Sequence, residues 1–376
     1  RWRRWARPRP PSDLRRMFDA GVPLEVSQLV LQYMPWPAQV AVSSGQIVRL
    51  WRVGAQAPRR VLSAHRARVV DVKFFPAGDR LATAGLDGAI LVWGAATGDV
   101  LRELRGLDEA HEAQVFPQGD RVAAIGSGSA VIWDAATGEL LHRLGHRGAA
   151  PGRIRVYPRG ERLVTARLGL AMIWDAASGA ALRRLRQSQD LGHVEVSPGG
   201  ERLATVGGRS VWVWNATDGR LERTLASRSY APRGVAFVAG GAKLVTAAGC
   251  GVHIWDIRSG MSSRLSAGSV HAIFSLGWRP LAVDHDGVRA TMWNTTAGER
   301  LHALSGPDNI EHLAVGARGD VVAVCAHSLL VGGGQSVAVW DVATGRLLQA
   351  MEGRSGADSS ACRVAVGYGG WTVLDG

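Results

Sequence analysis

The sequence is nearly without lysine. Of its 44 Lys and Arg residues only Lys73 and Lys243 are lysine, and with 32 Asp and Glu the formal net charge is +12. Phe and Tyr are scarce, six and four in 376 residues. Cys250, Cys325 and Cys362 stand far apart. None belongs to a Cys-x-x-Cys pair, which argues against a zinc knuckle or a disulfide framework. Reduced thiols in a cytoplasmic or nuclear compartment fit that spacing. No apolar run approaches the roughly 18–20 residues of a membrane helix, so no membrane partner is expected. The start, Arg1-Trp2-Arg3-Arg4-Trp5, is basic but lacks the apolar core of a secretory signal. The sequons at Asn215 and Asn294 therefore read as chance matches.

Reactive constellations are missing as well. Most Asp and Glu residues fall in turns, where turn chemistry explains them. Asp284-His285-Asp286-Gly287 is dense and polar but falls where a turn belongs. Asp108-Glu109-Ala110-His111-Glu112 has no second His four residues on, as a zinc helix needs. Gly332–Gly334 lacks the Lys-Ser/Thr of a phosphate loop. No catalytic residue, metal ligand or cofactor is expected, and the chain does not read as an enzyme.

Tryptophan is abundant, at 14 residues, and eight of these recur regularly. They are Trp51, Trp93, Trp133, Trp174, Trp214, Trp255, Trp293 and Trp340, spaced by 42, 40, 41, 40, 41, 38 and 47 residues. Each ends an apolar stretch and opens a turn: Trp133-DAATG, Trp174-DAASG and Trp340-DVATG show the pattern. The Asp or Asn bonds nearby amides, and the closing Gly tolerates positive φ. A second turn signal precedes Trp by about 16 residues, as in FPAGDRLAT from Phe75 and YPRGERLVT from Tyr157. Between the signals lie short apolar, β-branched segments such as VVDVKFF and AILVWG. Four such strands per period make one blade of a β-propeller, so the chain is expected to be all-β.

These residues resemble the WD-repeat family, over roughly Gln39 to the C-terminus. In that family a His, a Ser/Thr, an Asp and the Trp tie a blade together. His65, Thr83, Asp87 and Trp93 match all four. His146, Thr165 and Trp174 repeat the spacing, with Gly169 where Asp would stand. Thr205 and Thr246 keep the hydroxyl, and Ala124 replaces it before Trp133. Blades without the tetrad are expected to rely on tryptophan packing alone. Eight Trp-ended strands imply eight blades, with seven as the alternative common in the family. Residues 38–376 would form the propeller. Gln39–Ser43 and Gln46–Trp51 would supply strands of a blade whose missing first strand comes from the segment after Cys362.

Residues 1–37 form a separate arm. Residues 1–16 carry seven arginines and three prolines, with Trp2 and Trp5 as possible stacking groups for RNA. A short helical stretch is expected within Ser12–Met34. Val22-Pro23-Leu24-Glu25 resembles, inexactly, the opening of an F-box helix.

The resemblance implies a non-catalytic scaffold that binds a protein or peptide on one loop face. The loops leading into three first strands are basic: Arg66 and Arg68; Arg147 and Arg153; Arg228 and Arg233 with Tyr230. Others carry acid: Asp108, Glu109 and Glu112; Asp190; Asp308 and Glu311. An acidic or phosphorylated protein segment is the expected partner. A ubiquitin-ligase substrate receptor acting through the F-box-like helix is one alternative. An RNA or ribonucleoprotein scaffold is another. The arginine excess itself has two readings, a codon composition that favours Arg or a functional basic surface.

Overall fold

The computed structural model describes residues 38–353 and 363–368. It omits 56, 146–151, 190, 227–230, 249–250, 266–271, 276–280, 286–288, 296–298, 306–309, 317–320 and 328–334. The chain divides at Pro37/Ala38. The arm and its expected helix lie outside the described residues.

Among the described residues, 32 strands form eight four-stranded antiparallel sheets. The eight sheets settle the blade number at eight. We number the blades by their tryptophans, from Trp51 to Trp340. Blade 2 shows the plan: Val69–Phe74 innermost, then Arg80–Gly85, Ile90–Gly94 and Val100–Leu104 outermost. Blade 1 takes its innermost strand, Arg363–Tyr368, from the far end of the chain. This strand pairs with Ala38–Ser44, where Val40 faces both Val366 and Trp51. Each innermost strand neighbours the next around the ring. Ile310–Val315 of blade 8 reaches Arg363–Tyr368, which in turn neighbours Val69–Phe74 of blade 2. Pairing of the two distant segments completes blade 1, and each innermost strand remains a short sheet edge.

The third strand of a blade explains the packing. Its side chains alternate between the two faces of the sheet. Ile90 and Val92 join the core shared with blade 3, while Leu91 and Trp93 join the core shared with blade 1. All eight repeat tryptophans are at most 8% exposed. Burial of each contributes about 2–3 kcal/mol by area. The turn after each Trp is built as its residues suggest. Asp134 Oδ1 accepts from the Thr137 amide at 2.7 Å, the Ala136 amide at 2.9 Å and the Thr137 hydroxyl at 3.1 Å. These bonds, the Thr137 amide first, hold the Asp134 carboxyl below its ordinary value. Gly138 closes the turn at φ 82°. In six blades a bulge in the pairing of the third and fourth strands falls just before the Trp, as between Ile132 and Trp133.

Arginine has a use that composition did not suggest: it stitches blade to blade. On the outer strands, Arg60 Nε donates to the Thr97 carbonyl of the next blade at 3.0 Å, and Arg102 Nε to that of Ala136 at 2.6 Å. Arg223 Nη2 reaches the Arg258 carbonyl at 2.6 Å. His142 and His302 occupy the same place, donating to Ala177 at 2.7 Å and Ala343 at 3.2 Å. A second set follows the Pro-x-Gly turns. Arg80 donates to the Gly119 carbonyl at 3.0 Å, Arg121 to Ala176 at 2.8 Å, Arg162 to Ala216 at 3.2 Å and Arg202 to Gly241 at 3.3 Å. Arg80 and Arg121 also lie over the rings of Phe75 and Phe116, at 4.2 and 4.3 Å.

One cysteine departs from expectation. Cys325 is buried and disulfide-bonded, with its partner outside the described residues. Sequence spacing hid this, because a closed ring brings distant segments together. Among the described residues no helix is long and apolar enough to cross a membrane.

Candidate functional site

The polar groups of blade 2 form one hydrogen-bonded chain. Trp93 Nε1 donates to Thr83 Oγ1 at 2.8 Å, and Thr83 Oγ1 lies 2.7 Å from His65 Nε2. His65 Nδ1 lies 3.0 and 3.1 Å from the Asp87 carboxylate oxygens. One assignment satisfies every group: the indole donates to the hydroxyl, the hydroxyl to Nε2, and Nδ1–H to the carboxylate. Asp87 also accepts from the amides of Arg66 at 2.7 Å and Ala89 at 3.2 Å. Burial alone would raise the Asp87 pKa, but the Arg66 amide, His65 and Ala89 outweigh it and hold the carboxyl below 3.8. Gly85 was not singled out from sequence, yet the network needs it. A Cβ there would run into Asp87 Oδ1 and His65 Nδ1.

Blades 3 to 6 satisfy their tryptophans in other ways, which corrects the expectation of packing alone for these four. In blade 3, where Ala124 replaces the hydroxyl, Trp133 Nε1 donates to the Arg105 carbonyl at 3.0 Å. In blade 5 Trp214 donates to Thr205 at 2.9 Å, and Thr205 donates to Gln187 Oε1 at 2.7 Å, so Gln187 stands where His stands in blade 2. Trp174 and Trp255 donate to Thr165 and Thr246 at 2.7 and 3.0 Å. In blade 7 Trp293 Nε1 is buried and has no hydrogen-bond partner among the described residues.

The inner edge of the ring carries a second polar system. At one repeat position a side chain reaches the backbone of the next blade's innermost strand. Asp71 accepts from the Ala113 amide at 3.0 Å, Glu112 from that of Ile154 at 3.1 Å, and His312 Nδ1 from that of Val364 at 3.4 Å. Arg363 donates there to the Val70 carbonyl at 3.0 Å. Glu112, expected in an acidic loop, instead lies in the strand Ala110–Val115 and pairs with Arg155. Arg155 Nε also lies 3.4 Å from Glu195. Burial pushes the Glu112 pKa up, but Arg155 and Arg153 prevail and hold it below 4.5. At Glu195 burial prevails and its pKa is raised. His193 Nδ1 is buried and has no hydrogen-bond partner among the described residues. Burial, then the charges of Arg155 and Arg153, push its pKa down to about 3. Among the described residues no group of His, Cys, Asp and Glu could hold a metal ion.

The loop face gathers the lead-in loops and the turns between second and third strands. Arg66 and Arg68 precede Val69–Phe74 and are exposed. Their loop is pinned through the Arg66 amide to Asp87, and through its carbonyl to Gln46 Nε2 at 3.2 Å. Neither guanidinium bonds to a described residue, unlike the arginines that stitch blades. Arg153 is exposed at the start of Arg153–Val156, its Nε 3.5 Å from the Gly192 carbonyl. Arg233 lies in the strand Pro232–Val238. Asp108 and Glu109 are exposed. Arg147, Arg228, Tyr230, His146, Asp190 and Asp308 lie outside the described residues.

Comparison with known proteins agrees with this geometry. The WD40 family, described as "WD domain, G-beta repeat", matches residues 56–94, the stretch that holds the blade 2 network. No curated protein matches the chain. Among solved structures, the computationally designed Ika8 protein aligns with a TM-score of 0.65 at 22% identity, covering 77% of this chain and 88% of its own. At that identity the likeness is one of fold. The chain is therefore an eight-bladed β-propeller that carries a WD40 repeat at residues 56–94.

Proposed function

We propose that this propeller is a non-catalytic scaffold that binds an acidic or phosphorylated protein segment on its loop face. One observation carries the reading. Many arginines are spent on joining blades, yet Arg66 and Arg68 sit exposed on a pinned loop, their guanidinium groups bonded to none of the described residues. Pre-ordered arginines of this kind suit carboxylates and phosphates, because the loop loses little freedom on binding. WD-repeat domains in general bind proteins or peptides, which supports the same reading.

The location read from the cysteine spacing, cytoplasmic or nuclear, stands in tension with the disulfide at Cys325, since disulfides persist in oxidising compartments.

Fluorescence anisotropy with labelled acidic, phosphorylated and basic peptides tests the proposal. The expected result is binding of the acidic and phosphorylated peptides that weakens with salt. Substituting Arg66→Glu, Arg68→Glu and Arg153→Glu together should weaken it by about tenfold or more. Equal binding of the basic peptide, or no loss in the triple variant, would contradict the reading.

A further inference from the structure

One residue on the loop face is out of keeping with its turn. Leu168 lies between the strands Arg162–Arg167 and Leu170–Asp175 of blade 4, at φ 47°, with Gly169 following at φ 73°. Two successive residues at positive φ suit Asn-Gly or Gly-Gly, and a leucine there is strained. At the corresponding place in blade 5 stands Gly208, at φ 52°. Leu168 gains nothing by burial in return, being 58% exposed. Turn chemistry therefore does not explain it.

Its surroundings are basic. Arg167 precedes it and pairs across the turn with Leu170, which pairs with Arg186 on the outer strand. The loop that follows Arg186 runs from this turn to the next blade. Gln187 N donates to the Gly169 carbonyl at 2.8 Å, and Gln189 lies against Gly208, beside Arg209. Arg153 touches the same loop at Gly192. Arg153, Arg167, Arg186 and Arg209 are all exposed. The only carboxylate that the sequence places in this loop is Asp190.

We infer that the loop face of blades 4 and 5 is an anchor site, at which Leu168 takes an apolar side chain of an otherwise acidic segment. The four arginines supply charge complementarity to the flanking carboxylates. Leu168 supplies exposed apolar area that a partner side chain would bury. Backbone strain at this turn is then kept for the sake of the contact. The inference rests on the scaffold reading above and adds the apolar anchor to it.

The test uses the full chain and three short labelled peptides: glutamates alone, glutamates with a central leucine, and serine and glutamine with the same leucine. Leu168→Gly is the informative variant, because it relieves the positive φ. It should unfold no more easily than the parent, yet bind the glutamate–leucine peptide about tenfold more weakly. Leu168→Asp should do the same or more. Unchanged binding in both variants would overturn the anchor while leaving the scaffold reading intact. Tight binding of the uncharged leucine peptide would overturn the acidic reading and keep the apolar site. Binding of none of the three would overturn both.

Discussion

A single hydroxyl shows how polar groups are made tolerable inside an apolar blade. Thr83 Oγ1 accepts from Trp93 and meets His65, so its loss strands two buried groups at once. Thr83→Val should cost about 3 kcal/mol in urea unfolding, with Thr83→Ser recovering most of it. A cost below that of an ordinary surface change would mean the chain of bonds stabilises nothing. His193 makes a second residue-scale expectation. Its pKa is about 3 in the fold against 6.5 as a free side chain, so the unfolded chain binds the extra proton between those values. Its contribution is complete above pH 6.5 and is lost at about 1.4 kcal/mol per pH unit below it. Arg153, Arg155 and Glu112 face it, and Glu195 titrates with the opposite sign. The useful quantity is therefore the stability difference between parent and His193→Leu, which should grow as pH rises from 5 to about 6.5. A flat difference would show that the imidazole is protonated in the fold.

At the scale of strands and turns, local chemistry was legible and contacts between blades were not. Asp134 bonds to Thr137 three residues on, so the turn after Trp133 can be read from neighbouring residues. The bridge from Arg102 to Ala136 joins residues 34 apart, and only the ring brings them together. The same distance hid Gln187 as a substitute for His and the Arg105 carbonyl as the partner of Trp133. Glu112 was misplaced because a carboxylate after a turn signal looks like a loop residue until its strand is known. Leu168 could not be found from sequence, because nothing in Arg-Leu-Gly-Leu announces a positive φ. The outer bridges carry their own expectation. Arg102→Met should cost about 1 kcal/mol, the usual net worth of one such bond. Arg184→Met, at an exposed arginine with no hydrogen bond to a described residue, should cost little. Equal effects would show that the bridges add no stability.

At the scale of the molecule, recurrence set the fold and departure from recurrence marks the proposed site. Eight tryptophans at near-constant spacing gave eight blades because each repeat must bury its faces against neighbours. Position along the ring decides which arginines are available. Several of those on outer strands and Pro-x-Gly turns are engaged with the next blade, so a net charge of +12 overstates the basic surface. The exposed arginines of the loop face include Arg66 and Arg68, and Arg153, Arg167, Arg186 and Arg209 around Leu168. The most direct test of this assignment is amide hydrogen exchange on the full chain, with and without the glutamate–leucine peptide. Slowed exchange across residues 66–69, 167–170, 187–192 and 208–210, with no change at the Pro-x-Gly turns of the opposite face, is the expected result. Protection confined to that opposite face, or absent throughout while the peptide is bound, would contradict a binding site on the loop face.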